Sequence, residues 1–181
     1  MIKVYDYLFS DELIAEGCHY FDTYQKWDYL ADNPQYNNPT LGKTFVGTFE
    51  PLAYQFIDIL GYQKTFFKKC LYNSFGFGDS PRTHIDSHSE DGLTYLIYLN
   101  TNWDVNMGGE TVFVGDDGEI IQSITPKPGR LIKFKSKILH LGRPPVKQAL
   151  INRYSIVFQT HPVEHMTLGD LIPGINKLGK N

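Results

Sequence analysis

The sequence predicts a mainly β fold with flanking α: a double-stranded β-helix, a jelly roll of cupin-like type, supported by N-terminal helices. Three observations carry this. Two segments with helical spacing of apolar residues both lie before Gly61. From there to Thr160 the chain breaks into short β-branched and aromatic runs separated by Gly, Asp, Asn and Pro, the mark of many short strands. The chain has 181 residues, 41% of them hydrophobic, which is enough for one domain with a sizeable core and too apolar for disorder.

Residues 2–9 alternate loosely as a first strand and end at Ser10, whose hydroxyl can cap a helix that Asp11 and Glu12 favour at its positive end. Leu13, Ile14, Gly17, Cys18, Tyr20 and Phe21 give that helix an apolar face. Residues 26–44, "KWDYLADNPQYNNPTLGKT", are rich in Asn, Pro, Tyr and Gly and read as a loop, either a substrate lid or a surface connector. Helical spacing returns over residues 50–60 through Leu52, Ala53, Phe56, Ile57 and Leu60, with Gly61 placed to stop the helix. Two amphipathic helices ahead of a run of strands imply supports on one outer sheet face. Strands are expected at residues 65–73, 82–86, 93–100, 110–114, 120–124, 131–134, 138–141 and 153–160. The single domain, 1–181, therefore divides into an N-terminal strand and supporting helices (1–64), a jelly-roll core (65–160) and a C-terminal tail (161–181) with a short helix and a frayed end. The barrel mouth is the expected place for a site.

Net charge is −3 and the pI is near 6.0, which leaves no electrostatic footprint for nucleic acid or an anionic membrane. Lys133, Lys135 and Lys137 alternate along a strand and read as a solvated face. The only cysteines, Cys18 and Cys70, form no C-x-x-C, so neither a disulfide framework nor a thiolate zinc site is indicated and a reducing compartment fits. Lys3, Asp6, Asp11 and Glu12 interrupt the start of the chain, unlike the apolar stretch of a signal peptide, and no apolar run reaches the roughly 18 residues of a membrane span. A cytoplasmic, soluble protein is expected.

The chemistry concentrates between Thr83 and Ser155. His84 and Asp86 lie two apart on an extended segment, so their side chains share a side and reach one ion. His140, between the strand-like "GRLIKFKSKIL" and the turn-like "GRPP", is the best third ligand. Two imidazoles and a carboxylate make the facial set of non-haem Fe(II) oxygenases, which leaves positions open for co-substrate and O2. His88 shares the parity of His84 and Asp86 and is a rival third member. Taken singly, a buried hydrogen-bonded histidine or a turn aspartate would explain these residues as well. Arg153 and Ser155 face one way on another extended segment, and an Arg fork inside a barrel needs an anion, either a ligand carboxylate or an internal Asp or Glu.

The run "THIDSHSEDGLTYLIYLNTNWDVNMGGETVF", followed by "ITPKPGRLIKFKSKILHLGRPPV" and "NRYSIVF", resembles the Fe(II)/2-oxoglutarate-dependent dioxygenases, most closely the prolyl 4-hydroxylase-like branch that includes the hypoxia-type prolyl hydroxylases. The match spans roughly residues 72–158 and includes H-x-D, "YLN", "GGE", the distal His and R-x-S thirteen residues beyond it. One H-x-D would recur by chance, whereas the ordered set is specific. The resemblance implies His84, Asp86 and His140 as iron ligands, with His88 outside. It implies Arg153 and Ser155 on the distal carboxylate of 2-oxoglutarate, and Tyr98 of "YLN" on the same carboxylate. Tyr98 should share an inward face with Thr94, Leu96 and Asn100 while Tyr95 points away. Tyr72 matches more loosely a tyrosine that contacts 2-oxoglutarate. Trp103 and the Gly108-Gly109-Glu110 turn read as framework.

The activity so implied is hydroxylation of an unactivated C–H bond of a prolyl residue, peptide or free amino acid, with 2-oxoglutarate and O2 converted to succinate and CO2 and ascorbate as a supporting reductant. The partner is then a small-molecule or peptide or protein substrate, with the 26–44 loop, Arg82, His88 and Arg143 as candidate substrate contacts. A cupin-like metalloenzyme that does not use 2-oxoglutarate and a non-catalytic jelly-roll binding module are the alternatives. Arg153 and Ser155 discriminate, because neither alternative needs an inward cation beside the metal. Oligomeric state is not encoded in any of these features.

Overall fold

The Ser10 hydroxyl accepts the Leu13 amide at 3.3 Å and opens helix α1 (Asp11–Thr23), while Gly61, left-handed at φ 72°, closes helix α2 (Pro51–Leu60). The computed structural model describes residues 1–30, 40–79 and 81–160. Both helices pack one apolar face on the outside of a seven-stranded antiparallel sheet. In chain order its strands are β1 (Ile2–Tyr5), β2 (Asp28–Leu30), β3 (Thr40–Val46), β4 (Phe67–Phe75), β5 (Leu93–Tyr98), β8 (Leu131–Lys135) and β10 (Arg153–Thr160). Across the sheet they run β1-β8-β5-β10-β4-β3-β2. A smaller sheet orders β7 (Ile120–Ile124), β6 (Thr111–Val114) and β9 (His140–Gly142).

Two apolar clusters follow from strand parity. Phe21, Phe56 and Ile57 of the helices meet Cys70, Tyr72, Tyr95, Ile97, Tyr154, Ile156 and Phe158 on the outer face of the large sheet. Each such fully buried large side chain contributes about 1.5–3 kcal/mol. Leu96, Tyr98, Phe113, Ile124, Ile132, Phe134 and Val157 fill the space between the sheets. Tyr95 therefore points outward, where its hydroxyl donates to Tyr62, and Tyr98 points inward, the division expected from alternation.

Two expectations change. Residues 26–44 are not all loop: β2 and β3 pair antiparallel, Asp28 opposite Gly42, and β3 pairs along β4 from Leu41 opposite Ser74 to Val46 opposite Lys69. Pairing partners far along the chain, not local propensity, make these strands. The middle of that segment, residues 31–39, lies outside the described residues, and so does the expected tail helix. Residues 82–86 make no regular strand. The segment touches the small sheet at a single bridge, His84 with His140, on the free edge of β9. Among the described residues no helix is long and apolar enough to cross a membrane.

The lysine face is partly tied down. Lys133 sits 5.1 Å over the Tyr95 ring, Lys135 donates to the Glu90 carbonyl and Lys137 pairs with the Glu90 carboxylate. At the other end of the chain Arg130 grips Asp6 through Nε and Nη2 at 2.7 and 2.8 Å, fastening the residue after β1 to the start of β8.

Candidate active site

The site begins with backbone. His84 N–H donates to the His140 carbonyl and His140 N–H to the His84 carbonyl, both at 2.9 Å. This is the close, reciprocally bonded pair of an antiparallel ladder, so the two imidazoles stand side by side with ring centroids 4.5 Å apart. Asp86, two residues on, comes back to the same side, and its amide donates to the Ser136 carbonyl at 2.8 Å. The potential ligand atoms of His84, Asp86 and His140 lie within 4.8 Å of one another, the one such group among the described residues. His88 is exposed and stands outside it.

Hydrogen bonds set the protonation of these groups. Nδ1 of His84 lies 2.8 Å from the Arg82 carbonyl and Nδ1 of His140 2.9 Å from the Ile138 carbonyl. A carbonyl only accepts, so each ring carries its proton on Nδ1 and presents the Nε2 lone pair to Asp86, at 3.6 and 3.7 Å from its oxygens. Burial pushes His140 below the ordinary imidazole range, against the opposing pull of Asp86, and so favours the neutral ligand form. Burial alone would raise Asp86, yet the two imidazoles beside it and the hydrogen bond from Thr94 hold it below the usual carboxylate range. Thr94 donates to Asp86 Oδ2 at 2.6 Å; with its proton so committed it accepts from Ser136 Oγ at 2.9 Å. Thr94 and Ser136 are the orienting shell that motif reading missed. Asp86 and His140 are 7% and 6% exposed while His84 is 49% exposed, so the group opens to one side.

A cavity of about 450 Å³ runs from this group between the sheets. Its floor is laid in rows across β4, β10 and β5. Lys69, Gln159 and Thr94 stand beside the histidine and aspartate group, then Leu71, Val157 and Leu96, then Asn73 and Ser155 with Tyr98 buried beside them, then Phe75 and Arg153. Polar, apolar, polar and cationic rows follow each other along the strands.

Arg153 ends the series and is 1% exposed. Its guanidinium lies 4.9 Å from the Tyr98 ring centroid and 5.2 Å from that of Phe75, and Nη2 donates to Thr111 Oγ1 at 3.0 Å. Among the described residues Nε has no hydrogen-bond partner and no carboxylate pairs with the group. The internal salt bridge left open as an explanation of Arg153 is therefore not what holds it. Two glycines make room for the fork. A Cβ on Gly142 would stand 3.3 Å from both terminal nitrogens and 2.9 Å from Phe75, and one on Gly109, at φ 80°, would meet Trp103 at 2.9 Å. Trp103 itself donates to the Gly108 carbonyl, which fits its framework reading. Asn100 receives the Tyr154 amide and donates to the Asn152 carbonyl, fixing the backbone on either side of Arg153.

The predicted residues divide accordingly. Ser155 lies on the cavity floor, 3.5 Å from Asn73 Nδ2. The Tyr98 phenol shares a 2.6 Å hydrogen bond with Thr111, the residue that also receives Arg153. Tyr72 is corrected: it belongs to the outer face, fully buried against Phe21 and Phe45, because Leu71 and Asn73 take the inward parity on β4. Among the described residues its hydroxyl is unpartnered, its pKa is raised by burial, and it does not line the cavity. Arg82 is at the cavity rim, and Arg143 lines a separate groove with Phe77, Val105 and Val146.

Residues 70–161 match the family described as the 2OG-Fe(II) oxygenase superfamily, about half of the chain. No curated protein matches the sequence. Among solved structures, a prolyl-4-hydroxylase from Pseudomonas putida superposes with a TM-score of 0.66 at 17% identity, over 88% of this chain and 92% of that one. A prolyl hydroxylase from Trichoplax adhaerens, in complex with a hypoxia inducible factor oxygen degradation domain peptide fragment, gives 0.64 at 19% identity over 90% and 84%. A 2OG-Fe(II) oxygenase family oxidoreductase from Burkholderia pseudomallei gives 0.65 at 17% identity over 89% and 86%. At these identities the likeness establishes the double-stranded β-helix fold.

Proposed function

We propose a reaction from one premise: this chain belongs to the 2OG-Fe(II) oxygenase superfamily, an oxidoreductase family that uses Fe(II) and 2-oxoglutarate. The reaction is hydroxylation of an unactivated C–H bond in a prolyl residue, a peptide or a free amino acid. His84, Asp86 and His140 would hold the iron, and Arg153, with Ser155 and the Tyr98–Thr111 pair, the far carboxylate of 2-oxoglutarate. Bound together, Fe(II) and 2-oxoglutarate supply the activation of O2, with succinate and CO2 released as the substrate gains a hydroxyl.

The observation that carries the reading is Arg153. A buried cation that, among the described residues, has an unpartnered Nε and no carboxylate beside it is costly unless a ligand brings the counter-charge. The floor suits a short dicarboxylate: two methylenes fit against Leu71, Val157 and Leu96, and the far carboxylate fits the Asn73 and Ser155 row that leads to Arg153. The chain's own contribution is to keep both Nε2 atoms unprotonated, hold Asp86 ionised through Thr94, and exclude water with the Phe113 and Phe134 wall. The peptide carried by the Trichoplax relative supports a prolyl or peptidyl substrate.

Anaerobic addition of Fe(II) and 2-oxoglutarate to the apo-protein tests this. Wild type is expected to develop the weak visible charge-transfer band of the pair, and His140→Ala to develop none and to lose turnover. An equal band in His140→Ala would remove that residue from the ligand set. No band in iron-loaded wild type would remove 2-oxoglutarate.

A further inference from the structure

Two members of the first row of the cavity floor, Lys69 and Gln159, have no part in the reading above. Gln159 is 4% exposed and its amide has no hydrogen-bond partner among the described residues, although it lines the cavity. It stands between Thr94 and Lys69 as cross-strand neighbour of each. Successive neighbours are about 5 Å apart, so Lys69 and Gln159 flank the aspartate and histidine group on the side away from Arg153.

Lys69 faces the cavity by the same parity as Leu71 and Asn73, and a fault in the sheet just before it ends that alternation. Between Gln159 and Thr160 the register with β4 shifts: Gln159 faces Lys69 and Thr160 faces Phe67, which leaves Lys68 as the extra residue of a bulge. Simple alternation would put residues 67 and 69 on one side. The bulge instead turns Phe67 to the helix-side core while Lys69 stays on the cavity side. Among the described residues no carboxylate forms an ion pair with Lys69, and Asp86, the one acid on the cavity wall, is already engaged by Thr94 and faces the two histidines.

Charge decides what belongs there. With neutral histidines, the two charges of Fe(II) are cancelled by those of 2-oxoglutarate, and Asp86 is cancelled by Arg153. Lys69 remains as one positive charge facing the cavity, while Arg82 is exposed to solvent at the rim. Resting on the oxygenase reading, we propose that Lys69 and Gln159 bind a free carboxylate of the substrate, so that the substrate is a small acid of the amino-acid kind and not an internal residue of a peptide. Lys69 supplies the charge and the Gln159 amide a second donor, which fixes the bond to be oxidised next to the metal group. The overall change keeps its balance: substrate C–H, O2 and 2-oxoglutarate give C–OH, succinate and CO2, and both residues return unchanged.

The test uses the Fe(II) and 2-oxoglutarate complex of the full chain and the twenty amino acids, each as free acid and as carboxamide. Binding is read anaerobically as a perturbation of the visible band, and turnover aerobically as succinate release. At least one free acid is expected to respond about tenfold or more strongly than its amide. Lys69→Met should abolish that preference while keeping the unperturbed band and the melting temperature, and Lys69→Arg should restore it. An equal response to acid and amide, a preference that survives in Lys69→Met, or no response to any free acid while the band forms normally, overturns the proposal. Failure of the band itself in wild type would instead strike the 2-oxoglutarate reading.

Discussion

Replacing Arg153 by Met should move two quantities in opposite directions. Arg153 is 1% exposed and, among the described residues, makes one hydrogen bond, to Thr111, and leaves Nε without a partner. Met keeps the length of the stem and its packing near Phe75 and Tyr98, whereas Ala would also open a cavity and confuse the result. Exchanging buried ionic groups for apolar ones of similar volume is neutral or stabilising by about 1–4 kcal/mol. At about 2–4 °C per kcal/mol for a chain of this size, the apo variant should melt several degrees higher than wild type. Truncating one member of a desolvated, hydrogen-bonded charge pair costs about 2–5 kcal/mol, so 2-oxoglutarate binding should weaken by roughly 30-fold to several thousand-fold. Calorimetric melting of the apo-protein and an anaerobic 2-oxoglutarate titration at saturating Fe(II) measure the two. Arg153→Met melting several degrees lower, with an unchanged titration midpoint, would refute the role given to this residue.

Thr94→Val keeps the shape of the side chain but takes the 2.6 Å donor from Asp86 and leaves Ser136 Oγ without its acceptor. Fe(II) affinity should fall about 10- to 100-fold. Equal anaerobic Fe(II) titrations in the two proteins would show that Asp86 needs no such support. Asp6→Asn removes the forked contact with Arg130, worth about 1 kcal/mol for a partly exposed pair. Its hydrogen bond with Arg130, the largest influence on the carboxyl, holds it below the ordinary value of 3.8 despite opposing desolvation. The contribution is thus present above that ordinary value and lost as pH falls through the depressed one. The melting difference between wild type and Asp6→Asn should be visible at neutral pH and vanish in strong acid; a difference independent of pH would exclude the charge as its source.

What was legible in the sequence had a short range or a fixed parity. Ser10 and Gly61 mark helix ends because capping is decided within a few residues. His84 and Asp86 share a side, as do Arg153 and Ser155, because two residues of extended chain restore direction. Tyr72 went wrong at this step: its spacing from His84 invited a family role, while its parity with Cys70 on β4 assigns it to the outer core. Lys69 and Gln159 were within reach of the same rule, since Lys69 shares parity with Leu71 and Asn73, and Gln159 with Arg153 and Ser155. Which strand lies beside which is a tertiary choice, so neither the Lys68 bulge nor the pairing of β3 with β4 is written in local pattern. The shortness of the contact at His84 was hidden for the same reason: apolar and extended residues look alike whether they join a ladder or touch it once.

That single touch has a thermodynamic consequence. Two reciprocal hydrogen bonds at His84 and His140, with the Ser136 carbonyl behind them, fasten the H-x-D segment to the small sheet. On the proposed ligand set, an ion gripped by both imidazoles would act as a rivet through positions far apart in the chain, and the loop it closes could no longer open freely. Metal occupancy is then part of the folding free energy of this edge of the barrel. Without the ion, the H-x-D segment belongs with the parts of the molecule that open most easily; with it, amide exchange and protease access there should slow together.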